Sequence, residues 1–242
     1  MAQTIGLALM ISQWACAAYA GMGPCARDEE DFLTCGRGDG AARVIVKTIS
    51  PSKRLAFAWR LANRPPNNIP EANDPDLQNV ILRLADGVIL ARSRGAYWDL
   101  STKIARAYLF TAWSPNSHLL LKIEQRDTYA NAELFFFAGD DTALGPLDLV
   151  KVIRPPMLEK VEDDQSLSQD LTRYGLIFPA YPKPTIDENG LIHMVANTVA
   201  PDGASGPLCD MTLQAVHDSH SLSAEIVSIL PHEGVSISIT VH

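Results

Sequence analysis

Five of the six histidines in this 242-residue chain lie from His193 onward. His217-Asp218-Ser219-His220 sets two imidazoles around a carboxylate, and His232-Glu233 follows in the same C-terminal stretch. Zinc and copper take nitrogen and oxygen donors of this kind. The chemistry to weigh first is therefore a metal site on His217, His220 and His232, with metal-dependent hydrolysis as its use. The spacing argues against it: there is no helical His-x3-His pair and no cysteine beside it. Polar residues between two apolar runs are what a hairpin turn collects. No catalytic residue, no cofactor and no metal ligand is expected, with a metal-binding protein or metal-dependent hydrolase on these histidines as the alternative. His193 falls with Leu191 and Val195 and is expected as a hydrogen-bonded core histidine.

The other short matches are weaker still. Asp187-x-Asn189-Gly190 matches the opening of a calcium loop but lacks the later oxygen ligands and the distal Glu, which makes it a turn. Arg37-Gly38-Asp39 is a three-residue coincidence with an adhesion tripeptide. The chain holds no Gly-x-Ser-x-Gly elbow, phosphate-binding glycine loop or His-Glu-x-x-His. Trp59, Trp98, Trp113 and Phe135 to Phe137 sit in or beside apolar runs and read as core rather than a sugar platform.

The cysteines carry more information. Cys25 and Cys35 bracket the acidic run Asp28-Glu29-Glu30-Asp31, and an exported chain would oxidise them to a disulfide. Cys209 keeps step with Met211, Leu213 and Ala215 and is expected as a buried free thiol. Export is expected from residues 1–20: Ile5 to Ile11 are an apolar stretch, and Ala18-Tyr19-Ala20 before Gly21 fits small-x-small cleavage. No Lys or Arg precedes Arg27, so the usual basic start is missing. The same stretch is too short and too polar to span a bilayer comfortably. A periplasmic or secreted location follows, with the mature chain not crossing the membrane.

Composition sets the outer bounds. Apolar residues are 47% of the chain, enough for a sizeable core, and the net charge of −8 comes without any Lys/Arg block. The electrostatic footprint of a nucleic-acid binder is missing.

The elements that must position any site are strands. Leu55, Phe57, Trp59 and Leu61 share one face and Ala56, Ala58 and Arg60 the other. Asn79 to Ala85 and Val88 to Arg92 flank Asp86-Gly87, a strong hairpin signal. Further strands are expected over Val44–Ile49, Ala105–Ala112, Leu119–Gln125, Glu133–Ala138, Leu147–Ile153, Leu191–Val199, Cys209–Val216 and Leu222–Leu230. Asp140-Asp141 lies in the turn after Glu133–Ala138. Pro155-Pro156 is expected to end a strand and open the one helix, over Met157–Tyr174. Val235, Ile237, Ile239 and Val241 alternate with polar residues to the C-terminus and are expected as a strand closing against Val44–Ile49.

A phrase recurs among these strands. Ser50-Pro51-Ser52-Lys53-Arg54 runs into Leu55, and Trp113-Ser114-Pro115-Asn116-Ser117-His118 runs into Leu119. A looser copy, Asp187-Glu188-Asn189-Gly190, runs into Leu191. Recurrence of one supersecondary unit marks a repeat architecture.

These phrases resemble the Trp-Ser-Pro-Asp turn of β-propeller repeats, as in TolB-like and prolyl-oligopeptidase-like propellers and exported bacterial proteins built from them. Ser52 and Asn116 stand where the phrase has Asp, and the intervals exceed the about 40–45 residues of common blades. The resemblance implies a β scaffold displaying loops, not a shared reaction. The expected fold is all-β: four-stranded antiparallel units at about 41–100, 101–155 and 176–242, forming a small or incomplete propeller, with one short helix. The units make a single domain over 41–242, behind a Cys-bracketed segment at 21–40. The expected function is an exported, non-catalytic binding or scaffold protein meeting a protein or cell-envelope partner through the loops Asn63 to Asp76 and Pro201 to Pro207.

Overall fold

The computed structural model describes residues 21–71, 73–100, 103–104, 107–126, 129–139, 142–162, 174–200, 203 and 205–232. The expected leader over 1–20, the Asp140-Asp141 turn, much of the expected helix, part of the loop 201–207 and the strand over 235–241 lie outside these residues.

Among the described residues the chain is all-β with one α-helix. Strands β1 (Cys25–Arg27), β2 (Leu33–Cys35), β3 (Ala42–Val44), β4 (Leu55–Leu61), β5 (Leu77–Arg83) and β6 (Ile89–Ser93) form an antiparallel sheet in chain order. A two-stranded ribbon, β7 (Asp99–Leu100) and β8 (Lys103–Ile104), leads to a second sheet. That sheet is again a meander, of β9 (Tyr108–Trp113), β10 (Leu119–Arg126), β11 (Tyr129–Phe137) and β12 (Ala143–Asp148). Helix α1 (Leu149–Glu162) precedes the third sheet. There β13 (Gly175–Ile177) and β14 (Thr185–Ile186) share one edge of β15 (Leu191–Val199), followed by β16 (Cys209–His217) and β17 (Leu222–Pro231).

Strands apolar on both faces must be covered on both faces. β4 is such a strand. Leu55, Phe57, Trp59 and Leu61 pack with Leu120, Phe135 and Phe137 of the second sheet, while Ala56 and Ala58 pack with Val80, Leu82 and Cys35 on the far side. β10 repeats the device: Leu121 and Ile123 face α1 and the third sheet, where Ile153, Met157, Met194 and Met211 complete the core. Fully burying Phe57 or Trp59 is worth roughly 2–3 kcal/mol each. The indole N–H groups are satisfied across this stack, Trp59 donating to Asp99 O at 3.1 Å and Trp113 to Thr48 O at 2.7 Å.

The recurring turns close alike. Lys53, Ser117 and Gly190 each donate their N–H to the carbonyl three residues back, on Ser50, Ser114 and Asp187. All three donors have positive φ, at 58°, 64° and 79°. Ser50 Oγ then accepts the Leu55 N–H, Ser114 Oγ the Leu119 N–H, and Asp187 Oδ1 the Leu191 N–H. A side-chain oxygen at the first position thus holds the start of the next strand. The first two turns also touch, Ser52 N–H donating to Ser117 Oγ at 2.9 Å.

Three expectations are corrected. Val44–Ile49 is not one strand: β3 stops at Val44 and Val46–Thr48 forms a 3-10 turn. The buried Thr48 hydroxyl lies 2.7 Å from Ile45 O and accepts the Phe57 N–H at 3.0 Å, replacing a ladder bond. β3 sits between β2 and β4 in the sheet, so it offers no edge for a closing C-terminal strand.

Leu147–Ile153 is not a strand either, for α1 begins at Leu149 with Pro155 and Pro156 inside it. Asp148 Oδ1 accepts the Val150 N–H at 3.1 Å, an N-cap. Leu149, Ile153, Met157 and Val161 recur every four residues and are all buried. This stripe and cap outweigh the backbone bonds that two prolines remove.

His193, finally, is exposed. The core-facing set of β15 is Ile192, Met194 and Ala196, paired across to Leu213, Met211 and Cys209, so His193 lands on the outer side.

Candidate functional site

The residues singled out for metal chemistry do not meet. His217 ends β16 and His220 lies in the exposed β16–β17 turn, where Asp218 Oδ1 accepts the N–H groups of His220 and Ser221 at 2.7 Å each. The His217 ring stacks on Phe136. His232 follows the far end of β17, a strand of 10 residues, and its Nδ1 is 2.9 Å from Asp210 Oδ1. At the strand rise, about 30 Å separates the two ends. Among the described residues no three His, Cys, Asp or Glu side chains gather to hold a metal ion. His193 Nδ1 lies 3.3 Å from Thr212 Oγ1. Asp187 spends its carboxylate on its own turn, and Arg37 to Asp39 form an exposed corner. Cys25 and Cys35 are disulfide-bonded as opposite residues of β1 and β2, and Cys209 is a buried free thiol. Burial pushes that thiol's pKa up, which keeps it protonated and unreactive.

One cluster of charges escaped the sequence reading. Lys122 and Glu124 on β10 and Glu133 on β11 are all fully buried. Lys122 Nζ donates to Arg94 O at 2.7 Å and lies 3.3 Å from Glu124 Oε2 and 3.7 Å from Glu133 Oε2. Glu133 accepts the Ser93 hydroxyl at 2.6 Å and the Arg94 Nε–H at 2.9 Å, and Glu124 accepts Arg126 Nε–H at 3.0 Å. Burial pulls the Lys122 pKa down, with Glu124 and Glu133 pulling the other way. No solvent reaches these groups, so they lock residues 93–96 onto the second sheet rather than meet a substrate. The signal was present: charges alternating with Leu119, Leu121 and Ile123 in a strand apolar on its other face.

A hollow open to solvent lies elsewhere, at the end of the first sheet. It encloses about 310 Å³ and is lined by Glu30, Phe32, Arg43, Leu100 and Lys103, together with Asn67 and Ile69 of the 63–76 loop. Its volume falls in the small-ligand range. Each wall has its own anchor. The β1–β2 turn carrying Glu30 and Phe32 is held by the disulfide and by Asp28, which accepts the Glu30 and Phe32 N–H groups and the Thr34 hydroxyl.

Arg43 on β3 is 3% exposed, its guanidinium 3.8 Å above the centre of the Phe32 ring. Its Nη2 pairs with Glu30 at 2.7 Å and lies 3.6 Å from Asp28, while Nε and Nη1 have no hydrogen-bond partner. The 63–76 loop is pinned by the Arg64–Asp74 ion pair and by Asn63 donating to Asp76 at 2.8 Å. Burial would raise the Asp74 pKa, but Arg64 and the Asp76 and Glu71 N–H groups hold it below the ordinary value. The loop is therefore a fixed wall with Ile69 exposed on it.

A smaller pocket of about 40 Å³, where the first two recurring turns meet, has room for little more than water. No protein-family model matches this chain, and no curated protein matches it in sequence.

Proposed function

We propose that this chain is an exported, non-catalytic binding or scaffold protein, built as an incomplete β-propeller-like stack and working in the periplasm or outside the cell. The observation that carries this reading is the 63–76 loop. A polar, proline-rich loop of this length is expected to be loose, yet ion pairs fix it as one wall of a solvent-open hollow. A rigid scaffold that positions a surface loop is how binding proteins present their contacts. The disulfide fits an oxidising compartment. No described helix is long and apolar enough to cross a membrane. The partner is a protein or cell-envelope component met by this loop. The repeat turns support propeller kinship, through the shared geometry at Ser50, Ser114 and Asp187.

The test is photo-crosslinking in producing cells with a photoreactive residue at Ile69 and, as control, at the exposed Tyr181. A defined adduct from Ile69 that Tyr181 does not give is expected. Equal adducts from both positions, or none from Ile69, would overturn the reading.

A further inference from the structure

We propose that the hollow between the disulfide-held hairpin and the 63–76 loop binds a carboxylate carried on a small apolar body. The inference rests on the binding reading above and names its ligand class. Phe32, Ile69 and Leu100 supply apolar wall. The polar lining is mostly hydrogen-bond donor. Lys103 has donors only, and among the described residues its side chain and that of Asn67 have no partner. Arg43 lies beneath with Nε and Nη1 unpaired, its charge answered on one side by Glu30 and Asp28. Glu30 and Asp28 answer Arg43, which leaves Lys103 as the cation of the lining without a counter-charge among the described residues, in a chain of net charge −8. The unpartnered Lys103 ammonium and Asn67 amide beside apolar walls select an acceptor of negative charge with a nonpolar tail.

A free organic acid and the C-terminal carboxylate of a polypeptide ending in an apolar residue share this chemistry. Glu30 competes with the ligand for Arg43, and its side chain is 59% exposed. It therefore sets the affinity without belonging to the core.

The experiment is an amide-resolved NMR titration of the full chain with 3-phenylpropionate, its neutral amide, and acetyl-Gly-Gly-Phe as free acid and as amide. The acids should shift the signals of Phe32, Ile69, Leu100 and Lys103, and the amides should bind at least about tenfold more weakly. Lys103→Gln should weaken acid binding, and Glu30→Gln should strengthen it by freeing Arg43 Nη2. A merely structural role predicts no such opposed pair. Tighter binding of the peptide acid assigns a polypeptide C-terminus as the source, and tighter binding of 3-phenylpropionate assigns a free acid; either supports the proposal. Equal binding of acid and amide, shifts centred elsewhere, no saturation by any acid, or variants that move together would overturn it. If these fail while Ile69 still crosslinks a partner, the ligand class falls and the binding reading stands.

Discussion

Lys122 shows how much can hang on one buried ammonium. Its charge is balanced by Glu124 and Glu133, and all three sit where the first two sheets press together. Removing one member of such a set leaves the others charged in a medium that solvates them poorly. Lys122→Met keeps the volume and deletes the charge, and should lower the unfolding free energy by about 3–5 kcal/mol in urea denaturation. Lys103→Met, at an exposed position, should change it by less than about 0.5 kcal/mol. Similar losses for both would show that the buried cluster is not a structural lock. Gly95 belongs to the same lock. Its φ is +102°, and a Cβ there would overlap Glu124 Oε2, so only glycine lets the 93–96 segment approach these carboxylates.

Among the elements, the recurring turns are the most economical device. One oxygen at the first position receives the N–H that opens the following strand, so the side chain extends the ladder past its end. Ser114 is buried, and losing its hydroxyl leaves the Leu119 N–H without its acceptor. Ser114→Ala should therefore cost about 1–2 kcal/mol, read as a lowered Tm, and Ser50→Ala a similar amount because the geometry is the same. A neutral outcome at both positions would mean that the φ > 0 residues alone fix these turns. Helix α1 teaches a related lesson. The Asp148 cap and the stripe Leu149, Ile153, Met157 and Val161 place its start well before Pro155. The proline pair, expected at a helix boundary, lies inside the helix.

At the scale of the molecule, the three main sheets of the described residues stack through shared cores, and the N-terminal hairpin is fastened to the first of them. Cys25–Cys35 closes a short loop, and the chain-entropy model assigns such a bridge about 2–3 kcal/mol. The Cys25→Ser/Cys35→Ser protein should unfold more easily by that amount, with protease sensitivity rising first at residues 25–35.

Acid should act through the carboxylates whose pKa values are held down. The Asp86 pKa is lowered first of all by the Arg83 side chain; at Asp28, Asp74 and Asp148 burial pushes up but hydrogen bonds and nearby arginines win. Groups with a depressed folded pKa contribute stability above the ordinary carboxylate range and lose it as pH falls through the folded values. Asp99, raised by burial, opposes this. With these four and Asp218, whose pKa the His220 and Ser221 hydrogen bonds hold down, set against one, Tm should hold from neutrality to about pH 5 and drop below about pH 4. A Tm that rises on acidification would contradict the assignment.

Residue type and period alone determined the strand class, the two faces of β4, the Asp86-Gly87 hairpin, the buried Cys209, the facing Cys25 and Cys35 and the shared turns. Each of these is a local property: alternation assigns a face, and a turn needs one oxygen and one residue tolerant of positive φ. Tertiary structure decided the rest. The parity of His193 depends on which side of β15 meets the core, and adjacent positions of that strand are equally apolar. The end of β3 depends on Thr48 reaching Phe57, nine residues on. The Lys122 cluster and the hollow under the 63–76 loop unite residues from separate strands and turns, and no spacing along the chain encodes a meeting made by sheets packing face to face.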